Sequence, residues 1–310
     1  MRETIVVGCG VSGLSCAIRL AEAGFTVRIL ARERTPNTTS DIAAAVWYPF
    51  RCGSADRGLA WSRRTFRVLR ELSHDRATGV SLVEGIDLLP DDDAATPWWK
   101  DAVEHFRAAH RVEIPDGSPA AWVFEAPVVA MPVYMRWLEA KAASLGIAIE
   151  TRTVESLDAV LEECPVVVDC AGLGARELTG DPTLVPIRGQ VVRVEPGHVR
   201  RFVQAGGGDE LAYIIPRPDC TVLGGTQDVG VWDTAVDAAE FVSALDDVML
   251  ARFNVKPSIS GNVRRYSASK RTIEISSRDI GGRPVVFYVD VPAGSSTSVL
   301  DLGKVQVTAR

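Results

Sequence analysis

Long hydrophobic runs are missing from this chain. Nowhere do 18 apolar residues follow one another unbroken, so no membrane span is expected. Met1-Arg2 leads straight into a strand-like run, and no secretory leader is expected either. Basic runs are lacking too: acidic side chains outnumber basic ones 40 to 34, the net charge is −6, and Arg63-Arg64 and Arg264-Arg265 are only short pairs. Nothing there supports nucleic-acid binding. Six cysteines (Cys9, Cys16, Cys52, Cys164, Cys170, Cys220) lack the paired short spacings of a zinc site, and the four histidines show no ligand spacing. No metal is expected; buried free thiols in a reducing cytoplasm are. What remains is 310 residues, 46% hydrophobic and 24% charged, without internal repeats, enough for two structural units with a sizeable core.

The most informative segment is Ile5-Val6-Val7-Gly8-Cys9-Gly10-Val11-Ser12-Gly13-Leu14-Ser15, a Gly-x-Gly-x-x-Gly loop between an apolar run and an amphipathic one. Gly8 permits the tight turn, Gly10 lets the backbone approach a pyrophosphate, and Gly13 lets the following helix pack close with its N-terminus aimed at phosphate. The pattern predicts a helix over Val11 to Glu22, stopped by Gly24, then a strand from Thr26 to Ala31 that delivers Arg32-Glu33. Glu33 lies 20 residues beyond Gly13, where a ribose-binding acid belongs. A dinucleotide site is the reading.

Further along, Thr35 to Phe50 runs from polar to small to aromatic residues. Small residues at Ala43 to Ala45 allow close approach to a flat ligand; an Asp41-capped helix start packed by Trp47 is the equal alternative. Helices are expected near Leu59 to Ser73, over Pro132 to Leu145 and over Val236 to Leu250. Strands are expected at Ile147 to Val154 and Val166 to Cys170, the latter returning the chain to the dinucleotide sheet. From Val191 the pattern alternates, and Leu211 to Arg217 and Thr221 to Thr226 make a hairpin about Pro218-Asp219-Cys220 in a largely antiparallel sheet.

Taken together, the Gly8 to Ser15 loop, Ala31 to Arg34, Thr38 to Asp41 running into Ala44-Ala45-Val46-Trp47, Asp169 to Gly172, Ile187 to Gln190, Tyr213 to Arg217 and Gly224-Gly225-Thr226 resemble the D-amino-acid oxidase family. The resemblance implies an α/β chain: a Rossmann-like, discontinuous FAD-binding domain with a parallel sheet (1–53, 128–185 and 251–310) and a substrate domain on a largely antiparallel sheet (54–127 and 186–250). It implies FAD-dependent oxidative deamination of a D-amino acid to a 2-oxo acid, ammonia and hydrogen peroxide, with oxygen as acceptor and a homodimer allowed. Flavin contacts would come from Gly8, Gly10, Val11, Ser12, Gly13, Arg32, Glu33, Thr39, Ser40, Ala44, Ala45, Val46, Val154, Gly172, Gly294, Ser295 and Ser296. Tyr213 would hold the substrate carboxylate, with Tyr48 and Ile215 near the substrate. Val46, Tyr48, Phe50 and Ile215 suit a neutral side chain, while Arg217 leaves room for an acidic one.

The C-terminal end departs from the family pattern. The arginine that should grip the carboxylate falls on Arg265 by counting back from Ile273-Glu274, with Arg264 as the alternative and neither beside the usual prolines. The flavin turn reads Pro292-Ala293-Gly294-Ser295-Ser296-Thr297, with one glycine, and Val299 to Val307 alternates like a strand. Two rivals follow: an NAD-linked dehydrogenase using the same loop, and a non-catalytic flavin-fold relative. A related FAD amine or glycine oxidase is a third alternative.

Overall fold

The computed structural model describes residues 2–50, 55–115, 118–206, 212–234, 242–243, 246, 255–280 and 284–298. The expected strand at Val299 to Val307 and nearly all of the expected helix over Val236 to Leu250 lie outside them. In chain order the elements begin β1 (Glu3–Val7), α1 (Val11–Glu22), β2 (Thr26–Ala31), α2 (Thr39–Ile42), α3 (Ala55–Leu72), β3 (Val80–Leu89), β4 (Glu104–Ala108) and β5 (Ala120–Val129). They continue with α4 (Met131–Ser144), β6 (Ala148–Thr151), α5 (Leu157–Glu163), β7 (Val167–Asp169), α6 (Ala175–Thr179), β8 (Ile187–Arg188), β9 (Val191–Val194) and β10 (Phe202–Ala205). The last are β11 (Ala212–Pro216), β12 (Thr221–Gly224), β13 (Asp228–Val229), β14 (Ser258–Ser260), β15 (Val263–Ser267), β16 (Arg271–Asp279) and β17 (Pro284–Pro292).

Two compact units result, one of Met1–Val46, Arg67–Leu82 and Pro127–Pro186, the other of Trp47–Phe66, Val83–Ala126 and Ile187–Arg310. In the first, a four-stranded sheet of order β6-β2-β1-β7 is parallel at every pairing. A parallel sheet must be covered on both faces, which explains the near-continuous apolar strands. Alternation along each strand sorts the side chains. Val6, Val27, Ile29 and Ala31 pack with Leu14, Ala17 and Ile18 of α1 and with Tyr134, Met135, Leu138 and Ala142 of α4, while Ile5, Val7 and Leu30 face Val160 of α5. Each fully buried Val, Leu, Ile or Met among them contributes on the order of 1.5–3 kcal/mol.

The second unit carries a seven-stranded sheet of order β4-β5-β3-β10-β11-β12-β9 and a four-stranded sheet β14-β15-β16-β17. One face of the larger sheet is aliphatic, with Ile86, Leu88, Ala121 and Val123 packed beside Val203 and Ala205. On the other, Trp99 meets Tyr48, Phe106 and Phe124, and Phe124 meets Phe202 edge-on. Gly85 leaves the room: a Cβ there would stand 2.0 Å from the Phe202 ring. Residues 251–310 were expected with the dinucleotide sheet, whereas Tyr266, Ile273 and Ile275 of the final sheet share a core with Ile214, Leu223 and Val242. Their alternating pattern needs an apolar partner face, and Ile214 and Leu223 supply it.

Candidate functional site

The first unit builds a phosphate cradle from the glycine loop. Gly8 has φ +109, and a Cβ there would lie 2.3 Å from the Cys170 carbonyl oxygen; a Cβ on Gly13 would lie 1.9 Å from the Gly8 carbonyl oxygen. The loop therefore folds tightly enough to start α1 directly above the β1 strand end. Gly10 is the N-cap of α1 and gives it no side-chain cap, and the first turn holds no acid. Val11 N–H donates to Ser40 Oγ at 3.0 Å, which leaves the amides of Ser12 and Gly13 without intrahelical acceptors. Among the described residues only Ser40 Oγ, 3.1 Å from where a Cβ would be, stands over Gly10. Free amides, the positive end of a 12-residue helix and open backbone fit a pyrophosphate, so the residues present suit FAD.

Ser40 is held there by a capping box. The Asp41 carboxylate accepts from Thr38 N–H at 3.0 Å and Thr38 Oγ1 at 2.6 Å, and also from Thr35 Oγ1. The expected Asp41-capped helix start is displaced: Thr38 is the N-cap of α2 and Asp41 its N3 acid, so the helix ends at Ile42, well before Trp47, and its first turn presents Ser40 beside the loop. Ala45 accepts from Val129 N–H at 2.9 Å, Val46 bridges to Val128, and Ala44 lies between them and α2. Arg32 and Glu33 stand exposed at the end of β2, only 3.9 Å apart at their closest, so Glu33 is accessible to a ribose. Val154 packs beside Ile5, Val7 and Leu30, and Gly172 opens the turn after β7 at φ +59. Burial pushes the Cys9 thiol up to about 11, keeping it protonated and inert in the loop.

In the second unit Tyr213 sits on β11, paired to Gly224 on one side and Gln204 on the other. Its ring lies against Gly224 and Gly225, where a Cβ would come within 2.4 and 3.0 Å. Burial pushes its phenol up to about 12, so the hydroxyl stays a donor, and among the described residues nothing accepts from it. Ile215 shares that face by strand alternation and is buried. The Arg217 guanidinium is wholly buried and bound by Asp219 through Nε at 2.9 Å and through Nη2. The room it left for an acidic substrate is thus taken by a neighbouring carboxylate.

Arg265 donates to Glu274 Oε2 from Nε at 3.1 Å and Nη2 at 2.7 Å, and Nη2 also reaches Thr297 Oγ1 at 3.2 Å. That joins it to the turn of Gly294, Ser295 and Ser296, where Gly294 has φ +82. Arg264 points to the opposite side and pairs with Asp246 at 2.9 Å, which also accepts from the Tyr266 hydroxyl. Tyr266 packs with Ile214, on the other face of β11 from Tyr213. Glu104, His105 and Glu125 bring ligand atoms within 4.8 Å of one another, on the edge strand β4 and its neighbour β5, with His105 mostly exposed.

Two residues escaped the sequence reading. Asp87, 8% exposed, and Gln204, 3% exposed, continue the Tyr213 row across β3 and β10. Burial pushes the Asp87 carboxyl up to about 7, opposed by the Tyr48 hydroxyl at 3.5 Å and by Gln204. Burial likewise raises Tyr48. The only sequence signal was one acid inside the apolar run Ile86-Asp87-Leu88-Leu89. A folded-state value near 7 against an ordinary 3.8 means that the native state holds this proton longer than the unfolded chain does. Stability from that source is complete below about 4 and is lost as pH rises through about 7. Asp87→Asn, which has no proton to lose, is expected to gain thermal stability relative to the parent over that window. Parallel pH profiles of melting temperature for the two proteins would return Asp87 to a solvated carboxylate.

Comparison with known proteins shows the family. The family of FAD dependent oxidoreductases, DAO, matches residues 3–292. A D-amino-acid oxidase of Rubrobacter xylanophilus is 47% identical over 238 residues, 76% of this chain and 73% of that protein. A human D-aspartate oxidase is 31% identical over 91% of this chain and 87% of its own. Among solved structures, glycine oxidase from Geobacillus kaustophilus superposes with a TM-score of 0.62 at 21% identity, over 81% of this chain and 78% of that one. Among the described residues no helix is long and apolar enough to cross a membrane.

Proposed function

The chain belongs to the family of FAD dependent oxidoreductases, and from that premise we propose that it oxidises D-amino acids to 2-oxo acids, releasing ammonia and hydrogen peroxide. The observation that carries the reading is Tyr213, a half-buried phenol held as a donor with no acceptor of its own among the described residues. A substrate carboxylate is the acceptor it lacks. FAD, when bound, supplies the acceptor for the α-hydrogen and its electron pair and returns them to oxygen. The glycine loop, Ser40 and Glu33 hold the dinucleotide; Tyr213 orients the substrate, and the rings of Tyr48, Trp99 and Phe124 exclude water around its side chain. No histidine is needed as a base if the amine binds neutral. The apolar neighbours Tyr48 and Ile215 favour aliphatic side chains, and free thiols at Cys9, Cys164 and Cys220 suit a reducing cytoplasm.

Arg265, expected as the second carboxylate group, faces away from Tyr266 and so stands on the far side of the β14–β17 sheet from Ile214, whereas Tyr213 lies on the far side of β11; its guanidinium is held by Glu274 and Thr297 beside the 294–297 turn. Arg265→Ala is therefore expected to leave benzoate affinity unchanged, and Arg264→Ala to cost about 1–2 kcal/mol of stability through Asp246. Calorimetric titration of both variants checks this, and a large loss of benzoate affinity in Arg265→Ala would return it to the substrate site. The function itself is tested by the absorbance spectrum of the purified protein and by peroxide release from paired D- and L-amino acids. A flavin spectrum with release from D-isomers alone is expected; a colourless protein that binds NAD would overturn the reading.

A further inference from the structure

Asp87, Gln204 and Tyr213 form one cross-strand row on β3, β10 and β11, on the aromatic face of the larger sheet. A carboxyl as buried as Asp87 is ordinarily satisfied by a cation or by several N–H donors. Here the protein provides neither. No described cation faces it, the Tyr48 hydroxyl stands at 3.5 Å, long for an O–H···O bond, and the buried Gln204 Nε2 approaches it without reaching hydrogen-bonding geometry. Two adjacent buried polar groups left short of partners, on the same face as the unpaired Tyr213 hydroxyl, describe a surface completed by a ligand.

We propose that Asp87 is the anionic end of the substrate pocket, so that the chain takes D-amino acids whose long aliphatic side chain ends in a cation, as in D-lysine. This rests on the oxidase reading and extends it to the substrate's far end. The geometry sets the length. Neighbouring strands lie about 4.8 Å apart, so Asp87 stands about 10 Å along the row from Tyr213. An extended lysine-type substrate, carboxylate at Tyr213, approaches that span; alanine or valine does not. Its methylenes would lie along the rings that line this face, and its ammonium would meet both the carboxylate and the π-faces of Tyr48 and Trp99. Aliphatic substrates are still accepted, because Asp87 can keep its proton when no cation arrives.

Tyr48 and Tyr213 are the other titratable groups on this face and both are held above their ordinary values, while Gln204 is uncharged. Near neutrality only Asp87 changes charge there, so the preference for D-lysine over its uncharged isostere D-norleucine should rise with pH through about 7.

The test compares D-lysine with D-norleucine in the holoenzyme and in Asp87→Asn, by calorimetric binding and by steady-state peroxide release, from pH 6 to 9. Asp87→Asn is expected to lower D-lysine affinity on the order of 10- to 100-fold, to shift the D-lysine to D-norleucine ratio by the same factor, and to flatten its pH dependence. Asp87→Glu should restore part of the ratio. Equal losses for both ligands, or a parent protein that prefers D-norleucine at every pH, overturns the proposal. Failure of the oxidase reading looks different: the binding ratio would respond to Asp87 as expected while no D-amino acid released peroxide. A flavin content equal to the parent's shows that the variant has folded.

Discussion

Gly10→Val is expected to yield folded protein almost free of flavin. The substitution places a branched side chain over the one stretch of the loop that the chain leaves open, where only Ser40 Oγ, 3.1 Å from the built Cβ, stands near. The γ-methyls would press on Ser40, strain its bond from Val11 N–H and occupy the space in which a pyrophosphate meets the amides of α1. The fold has little reason to fail, since Gly10 has an extended backbone that any residue adopts, with φ −75 and ψ −175. Gly13 differs: its Cβ would collide with the Gly8 carbonyl at 1.9 Å, and Gly13→Ala would disturb the loop itself. The ratio of flavin to protein absorbance, read beside a far-ultraviolet spectrum, separates the two. Full flavin occupancy in folded Gly10→Val would remove the dinucleotide from this loop.

Tyr213→Phe removes one donor to a charged group and nothing else, because the ring keeps its contacts with Gly224 and Gly225. The loss is expected at 1.5–3 kcal/mol, on the order of 10- to 100-fold in kcat/KM. It should fall mainly on KM if the hydroxyl binds the carboxylate in ground and transition states alike. The flavin spectrum and stability should not move, since among the described residues that hydroxyl bonds to nothing in the protein. Unaltered kinetics with D-alanine or D-valine would make Tyr213 a packing residue of the sheet.

Local order was legible wherever a short stretch of sequence contains its own cause. Helix α1 occupies Val11–Glu22 as its apolar spacing and Gly24 predict, and the β11–β12 hairpin pairs Pro216 with Thr221 across the expected turn. The predicted helix over Pro132 to Leu145 is α4, Met131–Ser144, and its Lys141 pairs with Glu22 of α1 at 3.8 Å. The cap around Asp41 lies three residues before the expected one, since Thr38 is the N-cap of α2 and Asp41 the N3 acid that completes its capping box.

What the sequence by itself determined is therefore the dinucleotide cradle, the class of fold and the strand that carries Tyr213, because glycine spacing, helical period and strand alternation act over a few residues. Tertiary structure alone decided the rest. Asp87 joins Tyr213 only because β3 pairs in parallel with β10, more than 100 residues later, and no local pattern records that register. Strand parity dictated that Arg264 and Arg265 face opposite ways, but only Asp246 on one side and Glu274 with Thr297 on the other fixed which is which. At β15 and β16 it took the apolar face of Ile214 and Leu223 to decide where Tyr266, Ile273 and Ile275 would be buried, since hydrophobic burial is non-directional and settles on whichever surface is otherwise left uncovered.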